Sequence, residues 1–237
     1  MTQQNKHAEH DLDATIDGEI HEMPSQCQTL LYRALEDRTI FVKGSHQQTF
    51  KLPAPDFCLI AATTNEYSLL PPLRDRFKLV LQFEHYDTSS LATITFQRAK
   101  MMDIETTPEV ANAIALRSRG TPRLAIRLLE ACHRYARSLG DDQVTMQHFE
   151  QTVQLEQVDT LGLDADQQRY LAALAKRDGQ PIRLHTLESV LGIHRRTIQD
   201  VVEQFLLRMA LIERTPQGRV ITQHGLEHQR KRSEVSI

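Results

Sequence analysis

No apolar run in this sequence approaches the ~20 residues that a membrane-spanning helix needs, and the opening "MTQQNKHAEH" is polar, without the apolar core of a secretory signal. The first absence argues against a helical membrane protein and the second against export, so the expected location is cytoplasmic. Cysteine is scarce. Cys27, Cys58 and Cys132 are widely spaced and sit mostly among apolar neighbours, which speaks against a disulfide or zinc framework and for cysteines used as core filler. There is no internal repeat, and no low-complexity tract beyond the basic "HQRKRSE", which is expected to fray.

What is present is an ordinary globular composition: 237 residues, 40% hydrophobic and 25% charged, enough for one large or two to three small domains. The net charge of −3 is uneven. From Gly162 onward there are 12 Lys and Arg against 9 Asp and Glu, and before it 16 against 22. A mildly basic C-terminal module on an acidic body hints at a polyanionic partner.

The chain divides by pattern. "SQCQTLLYRALED" places Leu30, Leu31, Ala34 and Leu35 on one helical face with Ser25 as N-cap, and "TIFV" and "QTFKL" read as short strands. "FCLIAATT" is a continuous apolar run ending in polar residues, the look of a buried parallel strand whose C-terminal end faces a site. "KLVLQF" reads as a further strand. From Thr88 to about Glu156 the pattern is wholly helical, and a linker around "EQVDTLGL" precedes the last module. There, Leu171, Leu174 and Ala175 face inward from one helix, and Ile198, Val201, Val202, Phe205 and Leu206 recur at helical spacing in another. "LIERTPQGRVIT" gives two strands about a Pro-Gln-Gly turn, completing the order of a winged helix.

Ring motors that hydrolyse nucleotides need a polar residue at the end of a central strand to position the attacking water. They also need an arginine, often from a neighbouring subunit, to neutralise transition-state charge. "ATTN" and the following "LRDRF" supply both types of residue. A capped strand end beside a surface Arg-Asp pair is the plainer alternative.

In order along the chain, "DGEIHEM", "LLYRALED", "LIAATTNEYSLLPPLRDRF", "FEHY", "RSRGTPRLAIRLL" and "IERTPQGR" resemble the RuvB family of AAA+ motors that drive Holliday-junction branch migration, from about Asp17 to about His228. The resemblance implies an α/β partial AAA+ large domain (17–86) after a polar segment (1–16), then an all-α lid (87–158), a C-terminal winged helix (159–230) and a basic tail (231–237). It further implies ATP and Mg²⁺ as cofactors, duplex or Holliday-junction DNA as partner, and a homo-oligomeric ring, a hexamer in the family.

By the same resemblance Glu19 would polarise the attacking water and Thr64 would be the first sensor. Arg76 would be the finger reaching a neighbour's γ-phosphate, with Arg74 supporting the subunit interface. Arg123 would be the second sensor, and Tyr86, Glu36, Asp37 and Arg38 would lie near the nucleotide. Arg195, with Arg196 beside it, and Arg214 and Arg219 around the wing turn would meet DNA phosphates.

The pattern departs from the family in three places. There is no G-x-x-x-x-G-K-[ST] phosphate loop. In "ATIDGEIHEM" Gly18 stands where the Mg²⁺-binding aspartate belongs and Asp17, the candidate metal ligand, is one residue early, which on a regular strand turns it to the opposite face unless a bulge restores it; "HDLDAT" also lacks the apolar run of a core strand. The segment "TIFVKGSHQQTFKL" looks shortened, with Lys43 to Gln48 lacking the Gly-Pro-rich tip that docks the junction-binding partner RuvA. The chain therefore reads as a truncated or mis-started RuvB-like protein, inactive as an ATPase by itself and poorly soluble where apolar strands are left at a sheet edge. The rival reading is a non-enzymatic DNA-binding adaptor built on an AAA+ relic; a winged-helix transcription regulator would leave the sensors and finger without purpose.

Overall fold

The computed structural model describes residues 13–43, 49–54, 57–177 and 179–235. It divides into two compact units, residues 1–83 and 84–237.

In the first unit strand β1 (Asp13–Glu19) runs parallel to β4 (Cys58–Ala62). Helix α1 (Ser25–Asp37) intervenes, followed by an antiparallel pair, β2 (Thr39–Lys43) and β3 (Thr49–Pro53). A short helix α2 (Pro71–Arg74) follows β4. The core is small: Ile20, Leu69 and Leu73 are buried, and Leu31, Tyr32, Leu35, Ala61 and Phe77 pack around them. The buried Gln28 fastens α1 to the loop before α2. Its Nε2 donates to Met23 O and its Oε1 accepts from Leu70 N–H, both at 2.9 Å. The N-cap of α1 is Pro24, so Ser25 is the first helical residue and caps nothing.

The "FCLIAATT" strand forms as expected but is not buried. Two parallel strands cover neither face, and Ile60 is 55% exposed. "KLVLQF" forms no strand, because no described strand hydrogen-bonds to it; Leu79, Val80, Leu81 and Phe83 stand exposed. Cys27 and Cys58 are exposed and only Cys132 is buried, so two of the three cysteines are not core filler.

The second unit begins with four helices, α3 (Thr88–Met101), α4 (Pro108–Arg117), α5 (Pro122–Leu139) and α6 (Met146–Leu155), around Leu91, Ile114, Leu129, Cys132 and Phe149. Each join carries its own stop and start. Asp87, Thr107 and Thr145 accept N–H groups of the first turns of α3, α4 and α6, and Gly140 ends α5 in the left-handed conformation. This stretch is not wholly helical: β5 (Glu105–Thr106) and β6 (Gln143–Val144) make a small parallel bridge.

The winged helix follows: α7 (Ala165–Ala175), α8 (Leu184–Leu191), the short α9 (Arg195–Thr197), a π-helical turn (Ile198–Val202) and α10 (Glu203–Arg208). The hairpin β7 (Ile212–Thr215) and β8 (Gly218–Ile221) is the wing, and α11 (Gln223–Val235) closes the chain. Tyr170, Leu171, Leu174, Leu187, Ile198, Leu206 and Ile212 form its core. Val201 breaks the anticipated stripe and is 63% exposed, because the π turn inserts a residue and shifts the helical phase. The basic "HQRKRSE" stretch is not frayed at its start: α11 continues through it, and His228 Nε2 lies 2.7 Å from the Asp159 carboxylate in a nearly buried contact. No helix among the described residues is long and apolar enough to cross a membrane.

Candidate functional site

The C-terminal ends of the two parallel strands gather the first cluster, the place where open α/β sheets carry ligands. β1 ends in Glu19 and β4 runs out into Thr63 and Thr64. The backbone N–H of Thr64 donates to Glu19 Oε2 at 2.6 Å. His21 Nδ1 lies 3.2 Å from the same oxygen and 2.8 Å from Thr63 Oγ1, which in turn accepts the Asn65 N–H at 3.1 Å. The Thr64 amide, helped by the charge of His21, holds the Glu19 carboxyl below the usual glutamate range. An ionised carboxylate fixed beside a polar strand end is what polarising a water molecule requires.

β1 is not a regular strand. The step from Thr15 to Glu19 faces only Ile60 to Ala62 on β4, and Gly18 takes φ +110, the left-handed region that favours glycine. A bulge therefore sits where Asp17 and Gly18 displace the expected aspartate, and strict alternation of faces does not hold there. A strand forms in spite of the weak apolar run, and it begins at Asp13, ahead of Asp17. The side chain of Asp17 lies outside the described residues, as does the hairpin tip from residue 44 to 48.

Arg76 follows α2 and forms an ion pair with Glu36 near the end of α1. The guanidinium hydrogen bond pulls the Glu36 carboxyl below its ordinary value, and Glu36 raises Arg76 in turn. Arg74 packs over the Tyr67 ring at 5.8 Å. Asp37 ends α1, its carbonyl accepting the Thr39 hydroxyl, and Arg38 is the left-handed C-cap, with its guanidinium 5.9 Å from the Phe57 ring. Asp37 and Arg38 thus lie at the exit of α1, and Glu36 is brought against Arg76, whose pKa is also raised by Asp37.

In the second unit Tyr86 is bonded to the turn that precedes Arg123. The Tyr86 N–H donates to Gly120 O at 3.0 Å, and Arg123 is exposed in the first turn of α5. Gly120, at φ +71, has no room for a side chain: a Cβ would lie 2.8 Å from His85 Cβ and from Tyr86 O. Arg119, before it, reaches the winged helix. Its Nε donates to Gly162 O at 2.6 Å, its Nη2 lies 3.4 Å from Asp164, and its guanidinium stacks over Phe205 at 4.8 Å. Arg208 covers the same ring at 5.0 Å and donates to Arg119 O at 2.8 Å. Burial, partly offset by Asp164, pulls Arg119 below the usual arginine range.

On the winged helix Arg195 and Arg196 are exposed at the start of the helix that runs through α9 to α10; Arg196 lies 3.4 Å from Asp200. Arg214 and Arg219 are not free wing-tip cations. Both are bound to the fully buried Glu203, and the Arg219 side chain is only 14% exposed.

Three family models match in succession: the Holliday junction DNA helicase RuvB P-loop domain over residues 8–83, the RuvB AAA lid domain over 86–159 and the RuvB C-terminal winged helix domain over 160–230. A Thermotoga maritima RuvB point-mutant structure aligns with 31% identity and a TM-score of 0.75, covering 92% of this chain and 70% of its own. The chain belongs to the RuvB family. The Thermotoga maritima RuvB Holliday junction branch migration motor aligns similarly, at 31% identity and a TM-score of 0.73 over 92% of this chain and 69% of that one. The Synechococcus Holliday junction branch migration complex subunit RuvB 1 is 38% identical over 220 residues, 91% of this chain, and the chain spans 58% of that relative's length.

The RuvB fold makes the cofactor question concrete. The residues present place a strand-end carboxylate, Glu19, beside Thr64, but the sequence holds no phosphate loop. Among the described residues, no three His, Cys, Asp or Glu side chains converge as metal ligands. The set therefore does not fit a complete ATP and Mg²⁺ site, and no hydrolytic step is assigned to this chain alone.

Sequence reasoning missed Glu203, Arg119 and the part His21 plays. Glu203 had a signal: an acidic residue flanked by Val202 and Phe205 on an apolar helix, followed by two arginines placed symmetrically about a turn. Arg119 had none, since its partners lie 43 and 45 residues away.

Proposed function

We propose that the chain works as a RuvB-type branch-migration subunit on duplex or Holliday-junction DNA in recombination and repair, in the cytoplasm, within a homo-oligomeric ring. In this reading it depends on a P-loop-bearing subunit for the nucleotide. The observation that carries it is the Thr64–Glu19 contact, which joins the water-polarising carboxylate to the first sensor across two strands. Arg76 leaves its pairing with Glu36 to neutralise charge on a neighbour's nucleotide, Arg123 and Tyr86 report nucleotide state to the lid, and Arg195 and Arg214 neutralise DNA phosphates.

The test is ATP hydrolysis by assemblies of this chain mixed with a P-loop-bearing RuvB subunit. An arginine finger contributes roughly 10³–10⁵-fold to turnover, so Arg76→Ala should lower the rate at mixed interfaces by at least about tenfold. Micromolar ATP binding by the purified chain alone would contradict the dependence on a neighbour. The second reading is the DNA-binding adaptor, favoured by the existing Arg76–Glu36 pair, which gives Arg76 a structural use. It expects duplex binding with no effect of Arg76→Ala on the mixed rate.

A further inference from the structure

Two arginines stand opposite each other on the wing. Arg214 of β7 and Arg219 of β8 are register partners in the antiparallel hairpin, so their side chains leave the same face, where facing like charges destabilise a strand pair. Glu203, with no exposed side-chain surface, lies against both. Its Oε1 accepts from the Tyr170 hydroxyl at 2.7 Å and from Arg219 Nε at 2.9 Å. Its Oε2 accepts from Arg214 Nε at 2.7 Å and more distantly from Arg219 Nη2 at 3.5 Å, and it lies 2.6 Å from Arg214 Nη2.

A carboxylate taken out of water needs partners of this kind to stay charged. Tyr170 remains a donor, because burial first and the Glu203 charge second push its hydroxyl far above the usual tyrosine range. Arg214 also donates Nη2 to Gln199 O of the π turn at 3.3 Å. The hairpin is thereby fastened to the helix that carries Arg195. What is left over differs between the two arginines: the Arg214 side chain is 41% exposed and that of Arg219 only 14%.

We propose that Glu203 is the positioning residue of the wing, that Arg219 acts on DNA only by anchoring the wing to it, and that Arg214 bridges the carboxylate and a backbone phosphate. The proposal rests on the reading of this domain as a duplex-binding module. The two kinds of role leave different traces. A phosphate ligand releases counterions and adds about 0.9 to the slope of log affinity against log salt. An anchor changes affinity by the same factor at every salt concentration.

The test is duplex binding by the full chain between about 50 and 200 mM salt, with amide hydrogen exchange of residues 212–221 measured in parallel. Arg195→Ala and Arg214→Ala should each flatten the slope by about one. Arg219→Ala should bind severalfold more weakly along a parallel line. Glu203→Gln, of the same size but uncharged, should lower wing protection about tenfold or more while the lid keeps its own. If Arg219→Ala unfolds the domain, Arg219→Lys replaces it; lost wing protection at an unchanged slope supports the proposal. A slope flattened by about one in Arg219→Ala with the wing still protected overturns it, as does unaltered wing protection in Glu203→Gln. A wild-type chain that bound no duplex would overturn the DNA reading, and the exchange measurement, which needs no DNA, decides the wing's anchor in either case.

Discussion

The Thr64 amide and the Glu19 carboxylate are hydrogen-bonded across 2.6 Å although 45 residues separate them in the chain. The contact makes the carboxyl of Glu19 harder to protonate in the folded state than in the unfolded chain. Its contribution to stability is therefore present above the ordinary glutamate range, near pH 4.3, and fades as pH falls through the lower folded value. Carbon-detected NMR titration should find Glu19 below ordinary glutamates. His21→Ala should leave most of the depression in place, because the amide of Thr64 is its largest cause. A Glu19 that titrates at an ordinary value in the wild-type chain would contradict the geometry.

Removing the partner of Glu36 gives a second titration. In Arg76→Ala the Glu36 carboxyl should rise toward its ordinary value, since the Arg76 hydrogen bond is the main cause of its depression. Both groups are partly exposed, and pairs of this kind hold little stability. The melting temperature should move by no more than about 3 °C. A larger drop would mean that Arg76 is a structural residue, which weakens its assignment as a finger.

Two glycines with the same handedness separate strain from contact. Gly140 at φ +88 faces open space, whereas Gly120 at φ +71 is pressed against His85 and Tyr86. Gly140→Ala should cost about 1 kcal/mol, the penalty of a left-handed alanine. Gly120→Ala adds a collision with backbone and should cost more, about 2–4 kcal/mol. Denaturant midpoints measure both, and equal costs would show that the approach of Tyr86 to the turn is looser than described.

Arg119 is one tie between lid and winged helix, through Gly162, Asp164 and Phe205. Arg119→Ala should destabilise the second unit by about 2–3 kcal/mol, the scale of a largely buried charge-assisted hydrogen bond. Calorimetry should then show the one transition of residues 84–237 separating into two, with each core intact. A single transition that merely shifts downward would place the tie elsewhere.

The exposed segment around Leu79, Val80, Leu81 and Phe83 should drive self-association. Leu81→Lys together with Phe83→Ser should reduce the mass seen by light scattering at a given concentration, with no change in the circular dichroism. A monodisperse wild-type chain would remove the basis for this expectation.

Much of the architecture was legible because it rests on local rules. Leu171 and Leu174 fell on the buried face that their spacing predicted, Pro122 and Gly140 bracket α5, and the Pro-Gln-Gly turn closes the wing. The errors have a common origin in non-local context. "KLVLQF" has strand composition, but a strand exists only with a partner, and burial of "FCLIAATT" needs covered faces that two strands do not provide. The pairing of Arg214 and Arg219 with Glu203 was not legible, because charge type is visible in a sequence while a buried counter-charge on another element is not. Gly18 could be seen as out of place, yet only the register against β4 shows that the strand bulges there.

The π turn at Ile198–Val202 also bears on how this helix could change over time. At about 3.6 residues per turn, one inserted residue rotates everything ahead of it by about 100° against everything behind. Arg195 and Arg196 lie ahead of the turn, while Glu203, Phe205 and Leu206 lie behind it and are committed to the core. The turn thus works as an angular offset. Deleting or restoring a single residue there would swing both arginines to a different side of the helix without disturbing one core contact behind it, so this short stretch can re-aim a surface in one mutational step where substitution would need several.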